Sequence, residues 1–425
     1  MDVIRVKVPG SKSITQRALV CAALAQGSST LRGPLVSEDP ILLKDALSSL
    51  GVRIDTSHND EVWQVEGSGG RLGLISGTKA IFMGNNGTGI RFLTALACLV
   101  REGEPFEIYG TKRMEERPIA PLVSALQGLG ANIRTKRDTG CPPVVITPSQ
   151  GLKGGETSVD ASKSSQYLSA LLLVAPYTEL PTTVRLVGPL ASSPYLEITL
   201  RVMETFGIKV DVQEEEGAFL VPKGSYKACN YSIEGDASSA SYFYAGAAIT
   251  GRAVCVENVP SPSLQGDARF VDLLSKMGCS ITRGPHGTTC QGPGKGGLQA
   301  IEVDMGEMPD MVPTLAAIAP FAQGETVITG CPHLRIKETD RISAMATELK
   351  KLGVQVRELP DGLVIKGAPG RLTPSKIHTY DDHRIAMSFA VVGLRVKGLE
   401  IEDPGCVKKS FPTFWEVWDK AFGAS

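Results

Sequence analysis

The chain has 425 residues, of which 42% are hydrophobic and 21% are charged, and its formal net charge at pH 7 is −1. This composition is typical of a globular protein, and it excludes the basic surface that binds nucleic acid or anionic lipid, so we expect no nucleic-acid or membrane partner. A chain of this length exceeds the usual size of one hydrophobic core, which predicts two domains.

The cysteines and the first residues indicate a compartment. The nine cysteines are an odd number and contain no C-x-x-C pair, and the five histidines form no H-E-x-x-H motif. These spacings predict free thiols in a reducing compartment and no metal site. The segment MDVIRVKVPG alternates apolar and charged residues, and no apolar run reaches 18 residues. We therefore expect a cytoplasmic protein.

An amphipathic helix that ends in glycine recurs along the whole chain. Its glycines are Gly51, Gly130, Gly207, Gly278, Gly353 and Gly423, and successive ones lie 79, 77, 71, 75 and 70 residues apart. Glycine suits a helix C-cap because it accepts the left-handed conformation, and the apolar residues that follow predict a strand. The near-constant spacing indicates a sixfold repeat.

A second helix type, richer in small and apolar residues, opens on polar residues in each repeat. These helices begin near residues 13, 85, 164, 237, 310 and 381. They are apolar on nearly all sides after the first turn, so we expect them to be buried. The glycine-ended helices carry charges on one face and should lie outside. Strands such as FEIYG and TVITGCP separate the two helix types.

The sixth repeat is too short to supply its closing strands, and the N-terminal strand from Val3 to Val8 can replace them. We therefore predict one domain of repeats one to three, residues 13–235, and a second domain of repeats four to six, residues 1–12 with 236–425. Two chain crossings would join these domains, and we expect the active site in the cleft between them.

The starts of the second helix type suggest anionic ligands. A helix N-terminus presents unpaired N–H groups and partial positive charge, which suits phosphate or carboxylate. Each serine or aspartate at these starts is explained by capping when it is taken alone. Lys12 and Arg384 are harder to explain, because a cation in the first turn weakens a helix unless an anion lies beside it. We therefore expect small, multiply anionic substrates.

Other motifs exclude several kinds of chemistry. PGSKS at 9–13 has Ser11 where a phosphate-binding loop needs glycine, and GNNGTG at 84–89 lacks the G-x-G-x-x-G spacing. No G-x-S-x-G elbow occurs. ATP, a nicotinamide cofactor and a serine nucleophile are therefore not indicated, and we expect no cofactor.

The segment LRIKETDRISAM at 334–345 is the most densely charged part of the chain. If it forms one helix, Lys337 and Arg341 share a face, as do Arg335 and Glu338. Ion pairs on a solvated helix would also produce this pattern. The segment directly follows a strand and Gly-Cys-Pro, however, and ligands of α/β proteins bind at the carboxyl ends of strands.

Nine blocks, in order from residue 9 to about 415, together resemble the 5-enolpyruvylshikimate-3-phosphate (EPSP) synthase family. They are PGSKSITQRAL, GNNGTGIRFL, RMEERPIAPLVSAL, ASKSSQYLSALL, EGDASSASYF, MPDMVPTLA, RIKETDRISAM, YDDHRIAMSF and KKSFPTFWE. The resemblance implies a two-domain inside-out α/β barrel with three βαβαββ-type repeats per domain. It also implies a shikimate-pathway transferase that joins the enolpyruvyl group of phosphoenolpyruvate to the 5-hydroxyl of shikimate 3-phosphate, releases phosphate, and is a glyphosate target.

The matched blocks also imply the residues of the site. Shikimate 3-phosphate would be bound by Lys12, Ser13, Arg17, Ser164, Ser165, Gln166, Ser192, Tyr195, Asp310 and Lys337. Phosphoenolpyruvate would be bound by Lys12, Asn85, Gly87, Arg117, Gln166, Arg341, Arg384 and Lys409. Addition and elimination need an acid and a base. We assign Asp310 to the 5-hydroxyl, Glu338 to the methylene carbon, and Lys12 to charge stabilisation, with a proton-transfer role left open.

Four positions depart from the commoner pattern of the family. His333 stands where an Asn-like phosphate contact is expected, and Gln16 and Ser193 replace a usual Asn and a usual Lys. Phe92 replaces a residue that is often Pro or Leu. These departures leave open the contact made by His333 and the response to glyphosate.

Two other functions agree with parts of this pattern. The UDP-N-acetylglucosamine enolpyruvyl transferase has the same fold and cosubstrate, but it should show a loop cysteine and should lack the KETDR block. A non-catalytic anion-binding protein would not need Lys12, Asp310 and Glu338 together. We expect an enzyme that stands alone and acts as a monomer.

Overall fold

The structure, a computed structural model, describes residues 3–59, 61–285, 287–294 and 296–423. The chain forms two compact units. One runs from Gly10 to Ile233, and the other combines the N-terminal segment up to Pro9 with the chain from Glu234 onward. Within the described residues, no helix has the length and apolar character needed to cross a bilayer.

Both predicted helix types are present, and they alternate along the chain. The helices are α1 (Lys12–Leu24), α2 (Glu38–Ser49), α3 (Gly87–Ala97), α4 (Ala120–Gly128), α5 (Gln166–Val174), α6 (Ser193–Thr205), α7 (Ala237–Thr250), α8 (Phe270–Lys276), α9 (Val312–Ile318), α10 (Arg341–Lys351), α11 (His383–Gly393) and α12 (Phe414–Phe422). The odd-numbered helices begin within two residues of the predicted starts. Their burial follows the prediction, since every residue of α1 from Ile14 to Leu24 is buried, whereas α2 buries only one side.

The strands are short and follow the helices in a regular order. They are β1 (Ile4–Val6), β2 (Gln26–Arg32), β3 (Arg53–Asn59), β4 (Val62–Ser68), β5 (Ala80–Phe82), β6 (Phe106–Tyr109), β7 (Ile133–Thr135), β8 (Val144–Ile146), β9 (Gly155–Asp160), β10 (Thr182–Val187), β11 (Asp211–Gln213), β12 (Ala218–Val221), β13 (Asn230–Ser232), β14 (Ala253–Val256), β15 (Ser280–Gly284), β16 (Gly287–Gln291), β17 (Leu298–Gln299), β18 (Glu302–Asp304), β19 (Ala322–Gln323), β20 (Glu325–Thr329), β21 (Val356–Leu359), β22 (Gly362–Lys366), β23 (Lys376–Ile377) and β24 (Glu400–Ile401).

The four-stranded sheets share one design. Their orders are β13-β2-β4-β3, β5-β6-β8-β7 and β11-β12-β10-β9 in one unit, and β1-β14-β16-β15 and β18-β20-β22-β21 in the other, which also holds the pairs β17-β19 and β23-β24. Each four-stranded sheet joins one parallel pair to an antiparallel hairpin. The parallel partner comes from the end of another repeat, so backbone hydrogen bonds link the repeats. Thus β13 returns to β2, and β1 takes the corresponding place beside β14.

The glycines that end the second helix of each repeat behave as predicted, with one exception. Gly51, Gly130, Gly207, Gly278 and Gly353 all have positive φ, between 84° and 100°. Gly423 does not: its φ is −77°, and its N–H still bonds the carbonyl of Asp419 as in a continuing helix. The expectation of a left-handed cap at Gly423 is therefore wrong.

Each unit has its own hydrophobic core. In the unit that contains α7, the core includes a cluster of aromatic rings around Phe243. Its ring lies 5.4 to 6.4 Å from the rings of Phe411, Phe414, Trp418 and Phe422, measured between centroids. Phe243 is fully buried, so it fastens α12 and the segment before it to α7.

Replacing Phe243 with alanine should lower the free energy of unfolding by about 3–5 kcal/mol, because it removes a buried ring and leaves a cavity. Denaturant titration measures this change. Val187→Ala is the control, since Val187 is 52% exposed and should change the free energy by less than about 0.5 kcal/mol. A loss below about 1 kcal/mol for Phe243→Ala would show that the cluster does not hold α12.

Candidate active site

Lys12 lies in the first turn of α1, and a carboxylate of the protein compensates its charge. Its Nζ is 3.1 Å from Oδ2 of Asp39, a buried residue in the first turn of α2. Ser11 caps α1, because its hydroxyl accepts the N–H of Ile14. A cation at this position needs an anion beside it. Asp39 supplies one, and the sequence interpretation missed it.

Arg17 ties α1 to α6. Its Nε donates to Oγ1 of Thr199 at 2.7 Å, and its two terminal nitrogens donate to the carbonyls of Ser13 and Tyr195 at 3.0 and 3.1 Å. The guanidinium also lies over the ring of Phe92, 5.2 Å from its centroid. Burial lowers the pKa of Arg17 to about 10, so the side chain stays charged at neutral pH. Arg17 thus places Ser13 and Tyr195 next to a buried cation.

The loop before α3 is built around Gly87 and Arg117. Asn86 caps α3 by accepting the N–H of Gly89 at 2.8 Å. Nη1 of Arg117 donates to the backbone and side-chain oxygens of Asn85 at 3.2 and 3.0 Å. A Cβ on Gly87 would lie 2.4 Å from Nη2 of Arg117. Only glycine therefore lets the guanidinium lie against the start of this helix.

Gln166, the first residue of α5, is joined to α3 from both ends of its amide. Its Oε1 accepts from Nη1 of Arg91 at 2.6 Å, and its Nε2 donates to Oγ1 of Thr88 at 3.0 Å. Arg91 also donates to the carbonyls of Gly87 and Pro118. The structure therefore brings the loops that carry Gly87, Arg117 and Gln166 together, with Arg91 at their centre.

The start of α6 is strained at a predicted site residue. Ser192, the residue before α6, has φ 57° and ψ 58°, a left-handed conformation that a non-glycine residue adopts only at a cost in free energy. Its carbonyl accepts the N–H of Tyr195 at 3.1 Å. Ser164 and Ser165 precede α5, and the hydroxyl of Ser164 accepts the N–H of Gln166. All these residues lie in the unit from Gly10 to Ile233.

In the other unit, Arg341 is the centre of a buried ionic cluster. Its Nε donates to Asp382 at 2.8 Å, its Nη1 to Asp310 at 3.0 Å and its Nη2 to Glu338 at 2.8 Å. The side chain of Arg341 is 1% exposed and that of Asp382 is 0% exposed. Removing Arg341 would take away the cation that the buried carboxylate of Asp382 binds, which is strongly destabilising.

Arg384, in the first turn of α11, extends the same cluster. Its Nη2 donates to Oδ2 of Asp310 at 2.7 Å and to Oγ of Ser238 at 3.4 Å. Ser238 in turn donates to Oδ2 of Asp267 at 2.5 Å. Oδ1 of Asp382 accepts the backbone N–H of Arg384 and so caps α11. Asp310, Glu338, Arg341 and Arg384 therefore form one cluster, to which the structure adds Asp382, Ser238 and Asp267.

The charges in this cluster and its burial shift the pKa values of two carboxylates in opposite directions. Burial alone would raise the pKa of Asp310, but Arg384, Arg341 and Lys337 outweigh it and hold this pKa well below its ordinary value. Asp310 is therefore an anion at neutral pH. Burial raises the pKa of Asp267 to about 6, and the charge of Asp310 adds to the effect. Asp310 and Asp267 therefore have very different pKa values, and perturbed pKa values of this kind are common in active sites.

Two short 3₁₀ segments in the unit of Arg341 carry three further candidate residues, within them or at their ends: His333, Lys337 and Lys409. His333 is in the segment Pro332–Ile336, which Lys337 ends in an extended conformation. Lys409 is buried at the end of the segment Pro404–Lys409. Burial, and then the charge of Lys337, lower the pKa of His333 to about 4. Its ring is therefore neutral at pH 7 in the structure.

Residues 334–345 do not form one helix, which is the arrangement in which the sequence would place their charges on shared faces. The 3₁₀ segment stops before Lys337, and α10 begins only at Arg341. Asp340 is the cause, because its side chain accepts the N–H of Ser343 and caps the new helix. Lys337 and Arg341 therefore do not lie on one continuous helix, and neither do Arg335 and Glu338. The break sets Arg341 at a helix start, where its guanidinium reaches Asp310 and Asp382.

Within the described residues, no group of three or more His, Cys, Asp or Glu side chains is placed to hold a metal ion. Instead, the chain presents cations, capped helix starts and ionised carboxylates in two units. Such groups bind the oxyanions of small substrates and transfer protons among them.

Comparisons with known proteins give a consistent result. The family model described as EPSP synthase (3-phosphoshikimate 1-carboxyvinyltransferase) matches residues 4–418. A 3-phosphoshikimate 1-carboxyvinyltransferase of Trichormus variabilis is 43% identical over 98% of this chain and 96% of its own length. The chloroplastic enzyme of Arabidopsis thaliana is 41% identical over 98% of this chain and 82% of its own length. A solved EPSP synthase from Acinetobacter baumannii superposes with a TM-score of 0.81 at 30% identity, covering 98% of this chain and 95% of that one.

The α/β fold, the charged helix starts and these comparisons together define a transferase that acts on small anions. The chain belongs to the EPSP synthase family. The family, the two-domain inside-out α/β fold and the enzyme activity predicted from the sequence are confirmed, and the UDP-N-acetylglucosamine alternative is not favoured. Membership also agrees with the expected place in aromatic amino-acid biosynthesis and with glyphosate as the family's inhibitor.

Because the pKa of His333 is lowered to about 4, its ring should stay neutral in the folded protein as the pH falls from 6.5 to 5. An unfolded histidine takes up a proton near pH 6.5. His333 should therefore make the folded state less stable as the pH falls from about 6.5 to about 4. NMR titration of the ring measures its pKa, and His333→Asn identifies the signal and should remove that part of the pH dependence. A His333 pKa above 6 would contradict the prediction.

Proposed function

We propose that the chain transfers the enolpyruvyl group of phosphoenolpyruvate to the 5-hydroxyl of shikimate 3-phosphate and releases phosphate. The buried cluster of Arg341, Arg384 and Asp310 is the observation that carries this proposal. Both substrates carry a phosphate and a carboxylate, and the forked guanidinium of arginine binds such groups through paired hydrogen bonds. An ionised carboxylate between two arginines also supplies a proton acceptor beside the bound anions.

Phosphoenolpyruvate binding is assigned to a first set of residues. They are Lys12, Asn85, Gly87, Arg117, Gln166, Arg341, Arg384 and Lys409. Two features of the structure support the assignment. Arg117 lies against the start of α3 because Gly87 has no side chain, and Arg341 and Arg384 are fixed by carboxylates before any ligand arrives. Cations held in this way need little rearrangement when an anion binds.

Shikimate 3-phosphate binding is assigned to a second set. It consists of Lys12, Ser13, Arg17, Ser164, Ser165, Gln166, Ser192, Tyr195, Asp310 and Lys337. The left-handed conformation of Ser192 supports this assignment, because strained residues cluster at ligand sites. Arg17 supports it by fixing the backbone of Ser13 and Tyr195. We also propose that His333, which is buried and neutral at pH 7, donates a hydrogen bond to the phosphate through its one ring N–H.

We propose the acid–base roles that the family resemblance implies, and the charges around Asp310 support its part. Asp310 removes the proton of the 5-hydroxyl, and Glu338, whose carboxylate accepts from Arg341 at 2.8 Å, exchanges a proton with the methylene carbon. In the absence of substrate the neighbouring cations keep Asp310 a weak base. Bound phosphate and carboxylate groups would offset those cations, raise the pKa of Asp310 and so make it a stronger base. Lys12 stabilises the developing negative charge.

We further propose that the chain acts as a monomer in the cytoplasm. All nine cysteines are free, and most of them are buried, which suits a compartment where thiols stay reduced. Sedimentation at assay concentrations tests the oligomeric state.

The purified protein should release phosphate when it is given shikimate 3-phosphate and phosphoenolpyruvate together, and not when either is omitted. A coupled phosphate assay measures the rate. UDP-N-acetylglucosamine in place of shikimate 3-phosphate is the matched control acceptor and should give no release. The proposed reaction would be contradicted if phosphate were released with UDP-N-acetylglucosamine but not with shikimate 3-phosphate as the acceptor. It would also be contradicted if neither acceptor gave turnover.

Asp310→Asn keeps the shape of the side chain but removes its basicity, so kcat should fall by a factor of about 10²–10⁴. The KM for shikimate 3-phosphate should change by less than about tenfold, since the amide oxygen still accepts hydrogen bonds. Steady-state kinetics separates the two constants. Asp272→Asn, an exposed aspartate of the same unit, should leave both constants unchanged. A large rise in KM with little loss of kcat would make Asp310 a binding residue only.

A further inference from the structure

Two consecutive residues before α11 have a backbone conformation that non-glycine residues avoid. Tyr380 has φ 56° and Asp381 has φ 53°. The left-handed region is unfavourable for any residue with a Cβ, and an aromatic residue is a clear outlier there. Such strain persists only when surrounding contacts hold the backbone in place. Some contact must therefore hold this turn.

The contact is a buried carboxylate on α10. The hydroxyl of Tyr380 donates to Oε1 of Glu348 at 2.8 Å. Oε2 of Glu348 accepts the backbone N–H of His378 at 3.0 Å and the ammonium of Lys351 at 2.7 Å. The side chain of Glu348 is 0% exposed. One carboxylate thus binds both the tyrosine side chain and the backbone two residues earlier.

Helix α10 holds the other end of the turn as well. Arg341, at its first position, binds Asp382, which follows the strained pair directly. Glu348 lies seven residues later, two helical turns away and on the same face. Asp382 also caps α11 and accepts the N–H of Arg384. One face of α10 therefore holds both ends of the turn. The turn itself fixes the positions of Asp382 and Arg384.

We propose that Tyr380 and Glu348 are positioning residues for phosphoenolpyruvate: their hydrogen bond holds the strained turn that places Asp382 beside Arg341 and Arg384 beside Asp310. The inference rests on the proposed function, in which the two arginines bind that substrate. Tyr380 and Glu348 act through Asp382 and Arg384 and touch neither substrate.

Tyr380 keeps its phenolic proton, which it needs in order to donate to Glu348. Burial, followed by the bond to Glu348 and its charge, raises the pKa of the phenol to about 12. The hydroxyl therefore remains a donor throughout the range in which the enzyme would work. Its ring also packs edge-on against His378, with centroids 4.5 Å apart, so the side chain is held in place beside the carboxylate.

The test is steady-state kinetics with both substrates varied. Tyr380→Phe removes only the hydroxyl, and it should raise the KM for phosphoenolpyruvate about tenfold, the size expected for a lost bond to a charged group. The KM for shikimate 3-phosphate should stay within about threefold, and thermal melting should show a folded protein. Adding Asp381→Gly should recover most of the affinity, because glycine adopts positive φ freely.

Two variants serve as controls. Tyr177→Phe removes another partly buried hydroxyl, which bonds the carbonyl of Leu24 in the other unit, and both KM values should stay within about twofold. Glu348→Gln keeps the side chain's shape and can still bond the Tyr380 hydroxyl, so its effect should be smaller than that of Tyr380→Phe.

The inference is overturned by an unchanged KM for phosphoenolpyruvate in Tyr380→Phe, by an equal rise in KM for both substrates, or by no recovery with Asp381→Gly. A larger effect of Glu348→Gln than of Tyr380→Phe would also overturn it. The unmodified protein is assayed in parallel. If it shows no turnover, the proposed function fails; if it turns over normally and Tyr380→Phe matches it, only the role of the turn fails.

Discussion

Cations held by the protein's own carboxylates are the interactions on which this site depends. Lys12 and Arg384 each lie in the first turn of a helix, where positive charge is unfavourable. Asp39 compensates the first and Asp310 the second. Burying such groups is costly unless each charge is paired. The pairs keep the charged donors in place before substrate arrives, so binding does not have to pay for their assembly.

Much of the fold could be predicted from the sequence because the sequence pattern repeats along the chain. Glycines with positive φ end the second helix in five repeats, and each buried helix begins within two residues of its expected start. The break in the segment 334–345 could not be predicted from the sequence, for a physical reason. Its spacing is compatible with a helix, but Asp340 stops one element and caps the next, and a cap competes with helix continuation through a local hydrogen bond that periodicity does not reveal.

Site residues could be predicted from the sequence where a charged side chain is unfavourable for its own helix. They could not be predicted where the partner of a residue lies far away along the chain. Lys12 and Arg384 stood out as cations that weaken their own helices. Their partners lie 27 and 74 residues away, and the Asp382 partner of Arg341 lies 41 residues away. Similarly, nothing in the pattern links Ser238 to Asp267, or Tyr380 to Glu348. Such pairs are set by tertiary contacts, and a single sequence shows only the residue types.

The pairing of β1 with β14 has a consequence for synthesis on the ribosome. Strand β1 precedes β14 along the chain by more than the whole unit from Gly10 to Ile233, so during synthesis it finds its neighbour only after that unit has emerged. That inserted unit contains its own strand partners, since β13 closes back onto β2, and domains generally fold as they appear. The leading segment must therefore stay unpaired while its successor folds, and its short alternation of apolar and charged residues suits a nascent strand that has to wait without aggregating.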